Sequence, residues 1–317
     1  MEIVAEQILI LFIIAAVGFI AMKAKVLTKE GNAGLVKLIL KITLPLLILT
    51  TFSNTELSSE ILLSLPFVAA TAFCSIMILF GLGKISAKLQ KLDKENTALH
   101  SVSTMFGNVA FLGFPLLNAV FPNGEGLIYA SIFQLSHDTI LWTFGLFTLK
   151  KASTKNSEKS WKHIINPATI SLIIGLFLFL FQIKLPQIIY NPLHGIGNST
   201  IYLSMIYIGA ILSTVKIKKI LLNFRSYILC FNKLILCPII IILIFVSLKN
   251  FGLKISEKAL ISSILETATP CMIIVSILAE ELGLNSKQSV ENIFISSILS
   301  IITLPFIYWL ANKMIIF

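Results

Sequence analysis

Long runs of apolar residues recur along the whole 317-residue chain and are separated by short polar segments. A helix needs about 20 mostly apolar residues to cross roughly 30 Å of hydrocarbon. No polar region of the chain is large enough to fold as a separate soluble domain. The pattern predicts ten membrane-spanning helices, called spans 1 to 10, at residues 3–22, 34–52, 61–83, 96–120, 125–149, 164–182, 196–214, 227–248, 258–279 and 290–312.

The composition supports an all-α, integral membrane protein. Hydrophobic residues make up 56% of the chain and charged residues 13%, whereas a soluble domain carries about a quarter charged residues. Glu2 and Glu6 stand at the start of span 1, where a signal peptide would have basic residues, and no small-residue cleavage site comes after the span. We therefore predict that it is a retained span and not a signal peptide.

The formal net charge of +10 arises mainly from lysines in alternate loops. Loops after the odd-numbered spans hold most of the cations, and the loops after spans 2 and 4 hold none. This is the positive-inside pattern, which differs from the continuous basic face of a nucleic-acid-binding protein. It predicts a multi-pass protein of the cell (cytoplasmic) membrane, with basic loops in the cytoplasm and both termini outside. Lys249, Lys254 and Lys258 depart from the pattern, since they fall in a predicted outer loop.

A basic linker at residues 150–163 separates two halves of five spans each, residues 1–149 and 164–317. Because five is odd, two related halves would lie inverted in the membrane, as in many secondary transporters. Prolines at corresponding positions of the two halves support a duplication. Membrane helices tolerate proline, so chance is the alternative explanation for the match. The matching prolines lie in spans 3 and 8 and in spans 4 and 9: Pro66 and Pro238, and Pro115 and Pro270.

Span 4 contains the stretch GNVAFLGFPLL, which carries its own helix breakers. Pro115 cannot donate a backbone hydrogen bond, and Gly107 and Gly113 lower the cost of non-helical dihedral angles. Asn108 adds an amide that can bond stranded backbone groups or a ligand. In a membrane such a break persists only where protein or a water-lined cavity covers it. The stretch predicts an unwound site, and a simple proline kink is the alternative.

Span 9 repeats this theme in the stretch LETATPCMII. Pro270 is predicted to free the carbonyl of Glu266, and Thr269 offers a hydroxyl beside it. Two interrupted helices that cross at mid-membrane would direct the positive ends of half-helices at one point. Such a point could bind the carboxylate of a substrate even if no lysine were buried there. Lys233 is predicted instead to extend to the membrane interface.

Ionisable residues inside spans are costly and are therefore functional candidates. Asp138 shares a helical face with Gln134 by their four-residue spacing, and Glu266 is the only acid deep in the second half. We predict that Asp138 and Glu266 bind a proton or a sodium ion, or contact substrate. A structural pair within the bundle is the alternative. His137 lies on another face and is predicted to be packed and hydrogen-bonded.

The sequence offers no motif of an enzyme or a metal site. It lacks a Gly-rich phosphate loop, an HExxH metal pair and a GxSxG elbow. Its four cysteines lie in apolar segments without the close spacing of metal ligands. We expect no cofactor, no metal and no catalytic residue, although a membrane enzyme and a channel stay open as alternatives.

The chain resembles the auxin efflux carrier family, which includes bacterial malate and malonate carriers and the plant PIN proteins, within a bile acid/anion transporter-like superfamily. The likeness covers essentially the whole chain in the family's order. No single motif is diagnostic, but the ordered set is specific. The matching stretches are GNVAFLGFPLL, NPATISLIIGLFLFLFQIKLP with YIGAILS, NKLILCPII, ETATPCMIIVSILAEELG and ISSILSIITLPF.

The resemblance implies two inverted five-helix repeats in which spans 4 and 9 cross at Pro115 and Pro270. It also implies a scaffold of spans 1, 2, 6 and 7, against which spans 3–5 and 8–10 move as an elevator, commonly in a homodimer. Asn108 matches the family's asparagine before the first crossover proline. Pro45 matches a scaffold proline that faces the site, and Asp138 stands where plant members have a glutamine.

Two departures from the plant members bear on function. Span 3 lacks their Asp and Lys, and the acids at 138 and 266 replace uncharged residues, which suggests ion coupling. We expect a secondary active transporter of small organic anions such as malate, malonate or auxin-like acids, and we expect its transport to be coupled to protons. A sodium-coupled symporter, an uncoupled potential-driven carrier and a channel are the alternatives. The residues predicted to bind substrate are Asn108, Gly113, Pro115, Gln134, Asp138, Thr269 and Pro270.

Overall fold

A computed structural model of the chain describes residues 2–153, 166–213, 223–252 and 255–315. All regular secondary structure in these residues is helical, apart from one isolated β-bridge. Most of the linker predicted at 150–163 lies outside the described residues, as do Lys216, Lys218 and Lys219 of the loop after span 7.

Helices occupy the stretches in which the hydrophobic pattern predicts spans, and several of these helices are divided into two pieces. The order is α1 (Glu2–Lys23), α2 (Lys29–Leu38), α3 (Leu44–Asn54), α4 (Ser59–Leu89), α5 (Lys94–Met105), α6 (Phe114–Val120), α7 (Glu125–Ile140), α8 (Leu146–Ala152), α9 (Pro167–Leu180), α10 (Gln187–Ser213), α11 (Phe224–Phe231), α12 (Cys237–Asn250), α13 (Glu257–Thr267), α14 (Ile274–Glu281) and α15 (Ser286–Ile315).

Among the described residues, five helical segments are long and apolar enough to cross a membrane. This criterion uses length and composition only, and it supports a multi-pass membrane protein. Shorter apolar helices lie at Leu9–Lys23, Val109–Val120 and Pro167–Leu180. The five long segments are Glu30–Asn54, Ser59–Leu89, Gln187–Ser213, Phe224–Asn250 and Lys287–Ile315.

Widened π-helical turns precede three of the prolines, and each proline lies in the first turn of the α-helix that follows. Proline lacks an N–H group, and its ring clashes with the carbonyl four residues earlier. A π turn widens the backbone at this point, so the helix continues past the proline without a sharp break. The pairs are Ile39–Thr43 with Pro45, Val109–Gly113 with Pro115, and Asn232–Leu236 with Pro238.

The chain forms two compact units, each assembled from three separate segments. The first unit contains the helices at predicted spans 1, 2, 6 and 7. Both sequence halves contribute to each unit. The first unit comprises the described residues of Met1–Leu65, Ala110–Ile132 and Lys162–Val215, and the second those of Pro66–Val109, Phe133–Trp161 and Lys216–Phe317.

In the first unit, glycines let the backbones of α1 and α10 touch. A Cβ atom at Gly209 would lie 1.7 Å from the carbonyl oxygen of Ala15. A Cβ atom at Gly18 would lie 2.0 Å from the carbonyl oxygen of Ile206. Small residues at a helix crossing allow this approach, and the close packing supplies much of the association energy of membrane helices.

We expect Gly209→Ala to destabilise the first unit, because the Ala15 carbonyl already occupies the space of the new methyl group. Overpacking of this kind costs about 1–3 kcal/mol. The melting temperature of the purified protein in detergent measures the loss. Gly195→Ala in the same helix is the matched control, since a Cβ atom there meets nothing within 4 Å. Equal melting temperatures for the two variants would contradict the predicted backbone contact.

The second unit has an apolar core that surrounds the end of α5. Met105 and Phe106 pack in it with Met272 and Val275, which lie beside and within α14. Gly145 gives the Phe106 ring room, since a Cβ atom there would lie 2.7 Å from its Cε2 atom. Apolar packing therefore holds the end of α5 next to the start of α14 and positions the polar groups of both.

Candidate functional site

The second unit contains two helix interruptions. Helix α5 ends at Met105, and residues 106–108 after it are not helical. Helix α13 ends at Thr267, and residues 268–273 after it are not helical. Backbone groups at such ends lack partners within their own helix and must find others.

The two interruptions satisfy each other through an antiparallel pair of backbone hydrogen bonds. The N–H of Asn108 donates to the carbonyl oxygen of Pro270 at 2.7 Å. The N–H of Met272 donates to the carbonyl oxygen of Phe106 at 3.0 Å. Two predicted substrate-binding residues, Asn108 and Pro270, are thus in direct contact.

Gly107 allows the close approach of the two segments. It forms the isolated bridge with Cys271. A Cβ atom at Gly107 would lie 2.2 Å from the Thr269 hydroxyl oxygen. Any side chain at this position would therefore displace Thr269 or separate the segments.

The first interruption lies before Pro115 and not at it. Pro115 occupies the first turn of α6, where its missing N–H group costs little. Gly113 has ordinary helical dihedral angles, with φ −62° and ψ −48°, so its conformational freedom is not used. The structure therefore places the unwound residues at 106–108, earlier than the proline predicts.

His137 anchors the first interruption. Its buried Nε2 atom accepts a hydrogen bond from the N–H of Gly107 at 3.0 Å. Its ring meets the ring of Phe106 edge-on, with centroids 5.0 Å apart. An accepting Nε2 assigns a neutral ring with its proton on Nδ1, which lies 3.8 Å from the Asp138 Oδ1 atom. The prediction of a packed, hydrogen-bonded histidine is confirmed.

Lys233 is buried at the same interruption. Only 1% of it is exposed, and its ammonium donates to the carbonyl oxygens of Thr104 at 3.1 Å and Met105 at 3.5 Å. These carbonyls end α5 and have no partner in that helix, and the helix dipole also favours a cation there. The prediction that Lys233 extends to the membrane interface is wrong, because acceptors from another segment hold it inside.

Glu266 lies at the second interruption. Its backbone carbonyl, which the sequence predicts to be freed by Pro270, accepts a hydrogen bond from the Thr269 hydroxyl at 2.7 Å. The residue is 1% exposed, and neither carboxyl oxygen has a hydrogen-bond partner among the described residues. A carboxylate buried without a donor or a cation is costly, so this group suits a bound proton or cation.

Asp138 and Gln134 contact each other on one face of α7. The Gln134 Nε2 atom donates to the Asp138 Oδ1 atom at 2.6 Å. The Asp138 side chain is 17% exposed, more than that of His137 beside it. The four-residue spacing thus brings together the two residues that it predicts to be neighbours.

Most backbone groups at the interruptions are satisfied within the second unit. In addition to the bonds above, the N–H of Cys271 donates to the Ser296 hydroxyl oxygen of α15 at 3.0 Å. Unpaired backbone groups are particularly costly in a membrane. The unwound site predicted at these stretches therefore offers a solute mainly side chains. They include the buried Lys233 ammonium and the Glu266 carboxyl group, whose oxygens have no hydrogen-bond partner among the described residues.

The remaining predicted site residues lie in the first unit. Gly113 and Pro115 lie at the start of α6, and buried Pro45 lies at the start of α3. Within the described ranges, no group of three or more His, Cys, Asp or Glu side chains is placed to hold a metal ion.

Comparison with known proteins identifies the family. The profile of the family described as "Membrane transport protein" matches residues 3–308, nearly the whole chain. The chain belongs to this auxin efflux carrier family. An uncharacterized transporter of Methanothermobacter thermautotrophicus is 24% identical over 311 residues, which cover 95% of this chain and 96% of that relative. An uncharacterized transporter of Methanocaldococcus jannaschii is 27% identical over 314 residues, which cover 96% and 98%.

Membership of the auxin efflux carrier family confirms the resemblance found in the sequence and supports a membrane transporter. Both relatives are named transporters, which is consistent with a protein that is not an enzyme. The stretches GNVAFLGFPLL and ETATPCMII carried that resemblance. In this family member they are also the stretches whose backbones form the bridge at Gly107 and Cys271.

Proposed function

We propose that this protein is a secondary active transporter of small organic anions, with carboxylates such as malate, malonate or auxin-like acids as substrates. Family membership supports transport. The observation that carries the choice of an anion is the burial of the Lys233 ammonium beside the paired interruptions. A buried cation and the N-terminal end of α14 both attract negative charge in a low-dielectric region.

Side chains of the second unit form the proposed substrate contacts. The Asn108 amide lies at the bridge and offers hydrogen bonds to a carboxylate. The Thr269 hydroxyl beside it donates to the Glu266 carbonyl and would bond a carboxylate by releasing that carbonyl. Gln134 and Asp138 lie on α7, beside the histidine that binds Gly107. A solute bound among these groups would meet hydrogen-bond donors and one acid, as expected for a transporter site.

Coupling to an ion is the role proposed for the two acids. Glu266 has no hydrogen-bond partner for its carboxyl oxygens in the described structure, so binding of a proton would relieve the cost of its burial. Asp138 is partly exposed and bonds Gln134, so it can exchange a proton with water. Proton-coupled transport follows if either acid must be neutral for the loaded protein to change conformation. A sodium ion is the alternative at the same positions.

Replacing Asp138 with Asn should abolish the pH dependence of uptake, because the amide keeps the hydrogen bond from Gln134 but cannot bind a proton. The ratio of uptake at acidic and neutral external pH should fall to about one, while uptake at a fixed pH continues. The measurement is initial uptake of labelled substrate into proteoliposomes. Exposed Glu281→Gln is the matched control and should keep the wild-type ratio. A wild-type ratio in the Asp138 variant would remove this residue from coupling.

We further propose that the protein works by an elevator mechanism, in which its ten spans form a scaffold and a transport part that moves against it. The functional unit would be a homodimer. The division of the chain into two units supports this mechanism, since the first unit contains the helices of the proposed scaffold spans 1, 2, 6 and 7. The termini would face outward and the basic loops the cytoplasm, in the cell membrane.

Counterflow in proteoliposomes tests the function directly. Vesicles loaded with malate, malonate, other dicarboxylates or indole-3-acetate should accumulate the matching labelled anion, and unrelated solutes should not exchange. A requirement for a sodium gradient at clamped pH would establish sodium coupling instead of proton coupling. Single-channel currents without counterflow would indicate a channel, and turnover of substrate in detergent would indicate an enzyme.

A further inference from the structure

A second feature of the second unit is a cavity of about 380 Å³ away from the interruptions. It lies where α4 ends, α5 begins and α8 ends. Three lysines line it, one from each helix: Lys84, Lys94 and Lys151. These helix ends belong to predicted spans 3, 4 and 5, on the side where the basic loops are predicted to face the cytoplasm.

The lining of the cavity that the structure describes is positively charged. Its lining contains three cations and no acid. None of the three lysines forms an ion pair with another residue in the ranges that the structure describes. Clustered lysines with no carboxylate between them repel one another, so an anion placed among them is favoured.

Three phenylalanines also line the cavity. Phe80 and Phe144 meet edge-on, with ring centroids 4.9 Å apart, and the Lys84 ammonium lies 5.5 Å from the Phe80 ring centroid. Phe147 also lines the cavity and is strongly exposed at the surface of α8. A compact hydrophilic anion would leave these rings unused, whereas an amphipathic anion would cover them.

We propose that this cavity binds the headgroup of an anionic phospholipid, with its phosphate among the three lysines and its glycerol and upper acyl chains against the phenylalanines. Basic pockets between helices at the cytoplasmic side of a membrane are suited to such headgroups. The bound lipid would join α4, α5 and α8 at the end of α5 opposite the first interruption. The second unit would therefore be more stable in a membrane with a higher content of anionic lipid.

Binding of short-chain lipids to the purified full-length protein in detergent tests the proposal. Dioctanoyl phosphatidylglycerol should bind and raise the melting temperature, and dioctanoyl phosphatidylcholine, with the same chains and no net charge, should bind much more weakly. Lys84→Gln with Lys151→Gln should weaken phosphatidylglycerol binding roughly 10- to 30-fold. Arg225→Gln with Lys287→Gln is the matched control, because it removes two cations from a different cavity of the same unit.

A second variant and a second ligand separate a lipid from a soluble anion. Phe147→Ser should weaken binding of phosphatidylglycerol and leave binding of glycerol phosphate unchanged, since only the lipid has chains to contact the ring. Glycerol phosphate that binds as tightly as phosphatidylglycerol would overturn the assignment to a lipid. Equal phosphatidylglycerol affinity in the lysine variant and the arginine–lysine control would overturn the site itself. The measurement needs no transport, so its result is independent of the proposed function.

Discussion

Lys233→Met is expected to lower anion uptake roughly 10- to 100-fold. A hydrogen bond to a charged group contributes about 1.5–3 kcal/mol, and every 1.4 kcal/mol is about tenfold in affinity. The variant removes the buried ammonium at the paired interruptions while keeping the length and apolar body of the side chain. Substrate-dependent initial rates in proteoliposomes measure the effect, which should fall mainly on the apparent affinity for the anion.

Stability has to be measured alongside, because two opposed effects act on folding. Removing a buried charge lowers the desolvation cost, but the Thr104 carbonyl at the end of α5 loses its donor, at a cost of about 1–3 kcal/mol. Lys233→Arg keeps the charge and the donors and should restore part of the uptake. Exposed Lys88→Met is the control for loss of a cation in the same unit. Wild-type uptake in the Met variant would contradict a role of Lys233 in anion binding.

Gly107→Ala should disrupt the bridge between the interruptions and strongly reduce uptake. The new Cβ atom would lie 2.2 Å from the Thr269 hydroxyl oxygen and 3.5 Å from the Lys233 ammonium. Thr269 can yield only by giving up its bond to the Glu266 carbonyl, or the two segments must separate. We expect a loss of about 1–3 kcal/mol in the free energy of unfolding, measured by melting in detergent.

A double-mutant cycle identifies the cause of that loss. Thr269→Ala removes the hydroxyl with which the new methyl group collides, so the Gly107→Ala/Thr269→Ala protein should be more stable than the sum of the single effects predicts. Gly81→Ala in α4 is the matched control, because a Cβ atom there meets nothing within 4 Å. Strict additivity of the two mutations would show that Gly107 acts through something other than contact with Thr269.

Local sequence determined most of the helices. Apolar runs of sufficient length predict where helices lie, because burial or lipid contact of apolar side chains needs no particular partner. Proline also acts locally, through its missing N–H group and a ring clash within one turn. A π turn precedes Pro45, Pro115 and Pro238, whereas Pro66 lies inside α4 without one. The family likeness was equally readable from ordered stretches of the chain.

Tertiary structure decided where the chain unwinds and which groups are left there. Pro115 and its neighbours predict an interruption, yet the unwound residues are 106–108. There the Asn108 N–H and the Phe106 carbonyl pair with Pro270 and Met272, and the Gly107 N–H pairs with His137. No local pattern specifies that register, since it depends on apolar packing between distant segments.

The burial of Lys233 has the same origin. By itself, a lysine in an apolar helix extends to water, and its acceptors here are carbonyls from the end of another helix. The sequence by itself therefore determined most of the helices and the family. Only the fold decided the site, because its hydrogen bonds join residues that are far apart along the chain. No pattern in the sequence indicates that these residues pair.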